Sequence, residues 1–281
     1  MKKVMQKIPL RRGPRLRHVF AATVALWLHA AACAAPTSVF LEDLTWPEVR
    51  DAQRAGKTTI IVPVGGTEQS GPQLALGKHN VRAQMLAGRI AEALGNALVA
   101  PVVSYVPEGS IAPPTGHMRF PGTISISDAA FQGLLDGAAR SFRQGGFIDV
   151  VLIGDHGGYQ GQLKAVAQRL NTAWAGTPAR AHFIEDYYRV TQTAYVQALK
   201  AKGLSDAQIG LHAGTSDTAL MLATNPALVR PDQYAAAAQG APGNGVNGDP
   251  RPSSLALGQA GIDLIVAHSV AAIRRATAAR Q

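Results

Sequence analysis

Apolar residues in this chain fall into short unbroken runs that alternate with longer stretches of helical period. Thr59-Ile60-Ile61-Val62-Pro63-Val64 is apolar and β-branched throughout, the pattern of a strand covered on both faces. Further runs predict strands over 98–103, 149–153 and 180–184. Between them the spacing predicts helices over 43–55, 81–94, 128–144 and 161–175. Ser127-Asp128 caps the third, and Gly-Asn or Gly-Gly pairs stop the second and third. Helical stretches near 191–201 and 217–223 and a closing helix over 255–278 complete the chain. Residues 107–122 carry Pro107, Gly109, Pro113, Pro114, Gly116, Pro121 and Gly122, too many breakers for a regular element, so a long loop is expected there. Strands alternating with helices imply βαβ units, hence an α/β fold with a mostly parallel sheet and, over 36–281, a single domain. Ligands in such folds sit beyond the carboxyl ends of the strands, which directs attention to the residues just after each one.

Charge changes the picture only at the amino terminus. The formal charge of +9 includes seven cations within the first 17 residues and no acid among them, leaving +2 for the rest. An apolar run from Val19 through Ala32 comes next, then Ala32-Cys33-Ala34, and together these read as a secretory signal peptide over 1–35. The apolar run is too short for a stable membrane span, and periplasmic or secreted localisation is expected. Without those cations no basic cluster remains to track a phosphate backbone, so a nucleic-acid partner is not expected. Cys33, the single cysteine, lies in this segment, either cleaved off or lipidated. Any metal in the remaining chain must therefore sit on His, Asp or Glu.

Six histidines remain: His79, His117, His156, His182, His212 and His268. His156 comes directly after the strand 149–153, between Asp155 and paired glycines. Glu68 stands in the matching place after the strand 59–64, and His79 lies near the start of the next helix. Glu68, His79 and His156 would supply an N,N,O ligand set that suits a catalytic zinc with one position open for water. An isolated Glu or His after a strand is also a common surface or capping residue, so spacing alone leaves both readings open. His182 and His268 fall within a strand and a helix and read as structural.

Several segments, in order, resemble the creatininase (creatinine amidohydrolase) family. They are Gly65-Gly66-Thr67-Glu68-Gln69-Ser70-Gly71-Pro72-Gln73, Gly116-His117-Met118-Arg119-Phe120-Pro121-Gly122, Gly154-Asp155-His156-Gly157-Gly158, His212-Ala213-Gly214-Thr215-Ser216-Asp217 and Gly245-Val246-Asn247-Gly248-Asp249-Pro250. The resemblance implies a three-layer α/β/α sandwich, usually a homo-oligomer, that holds one or two divalent ions and opens an amide bond, often cyclic. Carried over by position, Glu68 and His156 match metal ligands. Ser70 stands where the family has a histidine ligand, His79 where it has a bridging aspartate, Thr215 where it has a glutamate, and Gly158 where some members have another acid.

An imidazole bridges two ions poorly, and Ser70 and Thr215 are weak ligands, so one divalent ion is expected, zinc first and manganese second. Asp217 is then a fourth ligand or the base acting on water. His117 is placed to sense or protonate substrate from the long loop. Arg119 either holds a substrate carboxylate in a fork or forms an internal ion pair. His212 is a catalytic candidate or a turn cap, and Asp155, with Ser70, stands behind the ligands and orients an imidazole. Two functions fit: a metal-dependent hydrolase acting on an amide, cyclic amide or related C–N bond in a small polar molecule or short peptide, or a non-catalytic periplasmic protein that binds a small ligand on the same fold.

Overall fold

The computed structural model describes residues 38–239 and 243–278; the export signal expected over 1–35, with Cys33, lies outside them. Four strands, β1 (Thr59–Val64), β2 (Ala97–Val99), β3 (Asp149–Gly154) and β4 (Arg180–Phe183), form a parallel sheet in the order β2-β1-β3-β4. Around it run α1 (Trp46–Arg54), α2 (Lys78–Leu94), α3 (Asp128–Gln144), α4 (Gln160–Ala173), α5 (Asp186–Gln192), α6 (Ala194–Ala201), α7 (Asp206–Ile209), α8 (Thr215–Thr224), α9 (Tyr234–Ala238) and α10 (Leu255–Ala278).

The strands alternate between two cores, because successive side chains leave a strand on opposite faces. Ile60, Val62, Val64, Leu98, Val150 and Leu152 pack with Phe131 and Leu135 of α3 and Leu163 and Leu170 of α4. Ile61, Val99, Val151 and Ile153 pack on the other side with Leu86 and Ile90 of α2, Tyr187 of α5, Leu220 of α8 and Ile262 of α10. Each of these buried aliphatic side chains is worth about 1.5–3 kcal/mol relative to exposure. The result is a three-layer α/β/α sandwich. α10 has the length and apolar content of a membrane span, but Gly258, Gly261, Ile262, Ile265 and Ile273 are buried, and the helix packs on α2, α5, α6 and α8.

Three elements differ from the sequence expectation, each for a local reason. The strand expected over 98–103 ends at Val99; Pro101 has no N–H to give to a ladder, and only isolated contacts continue, from Ala100 N to Ile61 O and from Val103 N to Pro63 O. The helix expected near 191–201 is two helices, broken at Thr193, whose hydroxyl bonds back to the carbonyl of Arg189 (2.8 Å). α2 begins at Lys78, three residues before the expected start, which brings Lys78, His79 and Arg82 onto its first turns. α10 spans the expected 255–278.

Candidate metal centre

The carboxyl ends of β1 and β3 are tied together by one buried phenol. The hydroxyl of Tyr159 accepts from the amides of Asp155 and His156 (3.1 Å each) and lies 2.8 Å from the carbonyl of Val64 and 2.5 Å from that of Gly65. The turn that carries Glu68 is fixed from the other side by Asn80 of α2. Its side chain accepts from Gly66 N (2.9 Å) and donates to the hydroxyl of Thr67 (3.1 Å). Glu68 and His156 therefore leave adjacent strand ends in set directions.

Two groups of side chains meet at Glu68. The first is Glu68, Glu108, His117 and His156, each offering one donor atom, with these atoms all within 4.8 Å of one another. His117 Nε2 lies 3.1 Å and His156 Nε2 3.5 Å from Glu68 Oε2, and His156 Nδ1 lies 3.5 Å from Glu108 Oε2. Glu68 Oε2 and both carboxyl oxygens of Glu108 are buried with no hydrogen-bond partner. Such acceptors are costly unless a cation or proton meets them.

The second group is fully partnered. Glu68 Oε1 faces His79 Nε2 (2.8 Å) and Lys78 Nζ (3.3 Å). Lys78 also reaches Asp217 Oδ2 (3.3 Å). Arg82 spans Asp155 Oδ2 (2.8 Å) and Asp217 Oδ1 (3.0 Å), and Asp155 takes in addition His79 Nδ1 (2.6 Å) and the Tyr187 hydroxyl (2.8 Å).

The electrostatics reflect this division. Burial would raise Glu68, but the Lys78 ammonium and the His79 hydrogen bond outweigh it and hold the carboxyl below its usual range. For Glu108 the balance is reversed: burial, then the charge of Glu68, outweigh the Lys78 ammonium and push it up to about 9. Burial lowers His156 to about 4 and His212 to about 3, and lowers His117 as well, so all three are neutral imidazoles near pH 7. Neutral imidazole is the form that binds a metal.

Of the residues expected at the site, Glu68, His156 and His117 belong to the unpartnered group. His79 stands outside it, with both ring nitrogens turned to carboxylates. Asp217 stands outside it too, held by Lys78, Arg82 and the amide of Ala213 (2.9 Å). His212 Nδ1 is 3.7 Å from Glu68 Oε1, and its Nε2 is 3.0 Å from the carbonyl of Gln69. Asp155 meets His79 as a carboxylate behind an imidazole does. Ser70 is buried with its hydroxyl unpartnered, and Arg119 is exposed on the loop, with no hydrogen bond or ion pair to either group. Thr215 uses its hydroxyl on the carbonyl of Asp249 (2.6 Å).

Sequence pattern alone does not single out Glu108, Lys78, Arg82 or Tyr159. Glu108 is the sole acid between Glu92 and Asp128, and sits in the Gly/Pro loop. Two glycines make the arrangement around it possible. A Cβ on Gly66 would lie 2.6 Å from Glu108 Oε1, and one on Gly158 would lie 3.0 Å from His156 Cε1. The cations Lys78 and Arg82 open a helix at its positive end, an unfavourable placement unless carboxylates face them.

A cavity of about 100 Å³ adjoins the centre, lined among others by Lys78, His156, Tyr188, His212, Ser216 and Asp217.

Comparison with known proteins bears on the family and the fold. The creatinine amidohydrolase (creatininase) family pattern matches residues 42–273. A creatinine amidohydrolase of Pseudomonas putida is 29% identical over 202 residues, 70% of this chain and 75% of its own length. A mycofactocin precursor peptide peptidase of Mycolicibacterium smegmatis (strain ATCC 700084 / mc(2)155) is 37% identical over 116 residues, 40% of this chain and 44% of its own. Among solved structures, a creatininase described as the manganese form matches with TM-score 0.69 and 25% identity over 85% of this chain and 99% of that one. A creatininase variant described as Zn-Zn type matches with TM-score 0.68 and 26% identity over 85% and 98%. With a pattern match across most of its length and a sandwich of the same build, this chain belongs to the creatininase family of hydrolases.

Proposed function

We propose that the chain hydrolyses an amide, cyclic amide or related C–N bond with one divalent metal ion held by Glu68, Glu108, His117 and His156. The observation that carries this reading is the convergence of three buried, unpartnered carboxylate oxygens with two imidazoles. Two oxygen and two nitrogen donors suit zinc, and manganese accepts the same set. A divalent ion there supplies Lewis-acid polarisation of a carbonyl and activation of water.

The protein's own groups do the rest. His79, clamped between Glu68 and Asp155, fixes the carboxylate of Glu68 in place. His212 is the proton acceptor: with Nε2 donating to the carbonyl of Gln69, Nδ1 is bare and turned toward Glu68. Asp217 positions Lys78 and Arg82 and does not act as the base, since both its oxygens are engaged. The cavity beside these groups suits a small polar molecule or the end of a short peptide. Arg119, exposed on the loop, is available to a substrate carboxylate at the rim.

The test is the metal content of the purified protein, and then a screen of cyclic amides and short peptides with zinc or manganese. One ion per chain is expected, lost in Glu68→Ala and in His156→Ala together with hydrolysis. A folded wild type that takes up neither zinc nor manganese would overturn the reading.

A further inference from the structure

Glu68 presents its two oxygens to different surroundings. Oε2 faces the unpartnered group, whereas Oε1 lies 3.3 Å from an ammonium that no solvent reaches. Lys78 has a second carboxylate, Asp217, at 3.3 Å, and it lines the cavity together with His156 and His212. A carboxylate with one oxygen toward a bound ion and the other toward a second positive centre is the arrangement of a bridge between two cations.

We propose that Lys78 is a tethered cation that occupies the second of two adjoining cation positions and limits the centre to a single metal ion; this rests on the metal reading above. Oxygen and nitrogen donors surround the ammonium. The ammonium lies 3.3 Å from both Glu68 Oε1 and Asp217 Oδ2, and His212 Nδ1 lies 3.7 Å from the same Glu68 oxygen. Formal charge points the same way. Buried Glu68, Glu108 and Asp155 and the partly exposed Asp217 are set against Lys78, Arg82 and a His79 that meets carboxylates with both ring nitrogens, so one divalent ion already answers the negative charge that remains. A second divalent ion would add an uncompensated double charge beside an ammonium in a site with little water, a costly arrangement. The Lys78 side chain is fully buried between two carboxylates. A buried ion pair contributes little net stability over an apolar side chain of similar volume, so a role toward the ion accounts better for its presence.

The experiment is a metal count on the full folded protein. Wild type is saturated with Mn²⁺, freed of excess by gel filtration, and examined by elemental analysis and low-temperature electron paramagnetic resonance. One ion per chain with the spectrum of an isolated Mn²⁺ is expected. In Lys78→Ala, or Lys78→Asn should alanine prevent folding, the count is expected to rise to two, with the spectrum of a spin-coupled pair. Lys78→Arg, which keeps the charge, is expected to stay at one. Two ions in the wild type, or one ion in a folded variant without the charge, would overturn the role of Lys78 and leave the metal reading standing. A wild type that binds no ion would overturn both.

Discussion

On one side of Glu68, Lys78, His79, Arg82, Asp155, Asp217 and Tyr187 close on one another through contacts of 2.6–3.3 Å, and every carboxylate has a partner. On the other, Glu108 and the outer oxygen of Glu68 are equally buried, face imidazoles, and make no hydrogen bond. Both sides come from the same few segments, and both are largely buried. They differ in whether the protein supplies its own cations. Where it does, the network is a fixed support that needs nothing from outside. Where it does not, the deficit is the binding site. A buried acid is thus informative through its missing partner, more than through its presence.

Arg82 offers the harshest way to break that contrast, because it alone bridges Asp155 and Asp217. Arg82→Met should leave buried Asp155 and the partly exposed Asp217 short of a partner and cost about 3–5 kcal/mol, the usual penalty for removing one member of a buried pair. Denaturant unfolding of the ion-free protein measures it. Metal affinity should fall as well, through displacement of His79 and then Glu68. A loss of stability below about 1 kcal/mol would mean that the support is not a network in the sense described.

Glu108 sharpens the contrast from the opposite side. Burial and the charge of Glu68 push its carboxyl to about 9, so in the ion-free protein near pH 7 it carries a proton, and an ion must displace that proton to bind. Wild-type affinity should therefore rise as pH goes from about 7 to 9, by up to about tenfold per pH unit for one released proton. Glu108→Gln, which mimics the protonated acid, should lower affinity by about 10–100-fold and flatten that rise while leaving ion-free stability nearly unchanged. Calorimetric titration with zinc across that pH range would check it. An unaltered pH slope would remove Glu108 from the ligand set.

The frame of the molecule was legible in the sequence because it rests on local pattern. β1, β3 and α10 are unbroken apolar or periodic segments, and their bounds are set by the residues themselves. The place of Glu68 and His156 just past β1 and β3 was legible, because a parallel sheet presents the residues beyond its strands to any ligand. Glu108 was not, for a different physical reason. It reaches the centre across a Gly/Pro loop whose path depends on the space left at Gly66, a property of the folded backbone with no periodic trace. The partners of His79 were hidden likewise. Its ring could serve a metal, and only the positions of Asp155 and Glu68 on either side show both nitrogens engaged. Lys78 and Arg82 carry a signal of another kind, two cations at the positive end of α2, which hydrophobic period does not register.

Arg119 gives the smallest expected effect and the cleanest control, because it shares the loop of His117 but neither group around Glu68. It is exposed, two residues from an imidazole that lies 3.1 Å from Glu68. If the site is defined by buried partners and their absence, Arg119→Ala should leave zinc affinity within about twofold and thermal unfolding unchanged, as surface substitutions generally do. A substrate with a carboxylate should nonetheless bind more weakly, seen as a higher KM with kcat retained, because a rim contact acts on binding in ground and transition state alike. Loss of the metal in this variant would show that the loop is held by its exposed side as well. The line drawn at Glu68 between partnered and unpartnered charge would then be too simple.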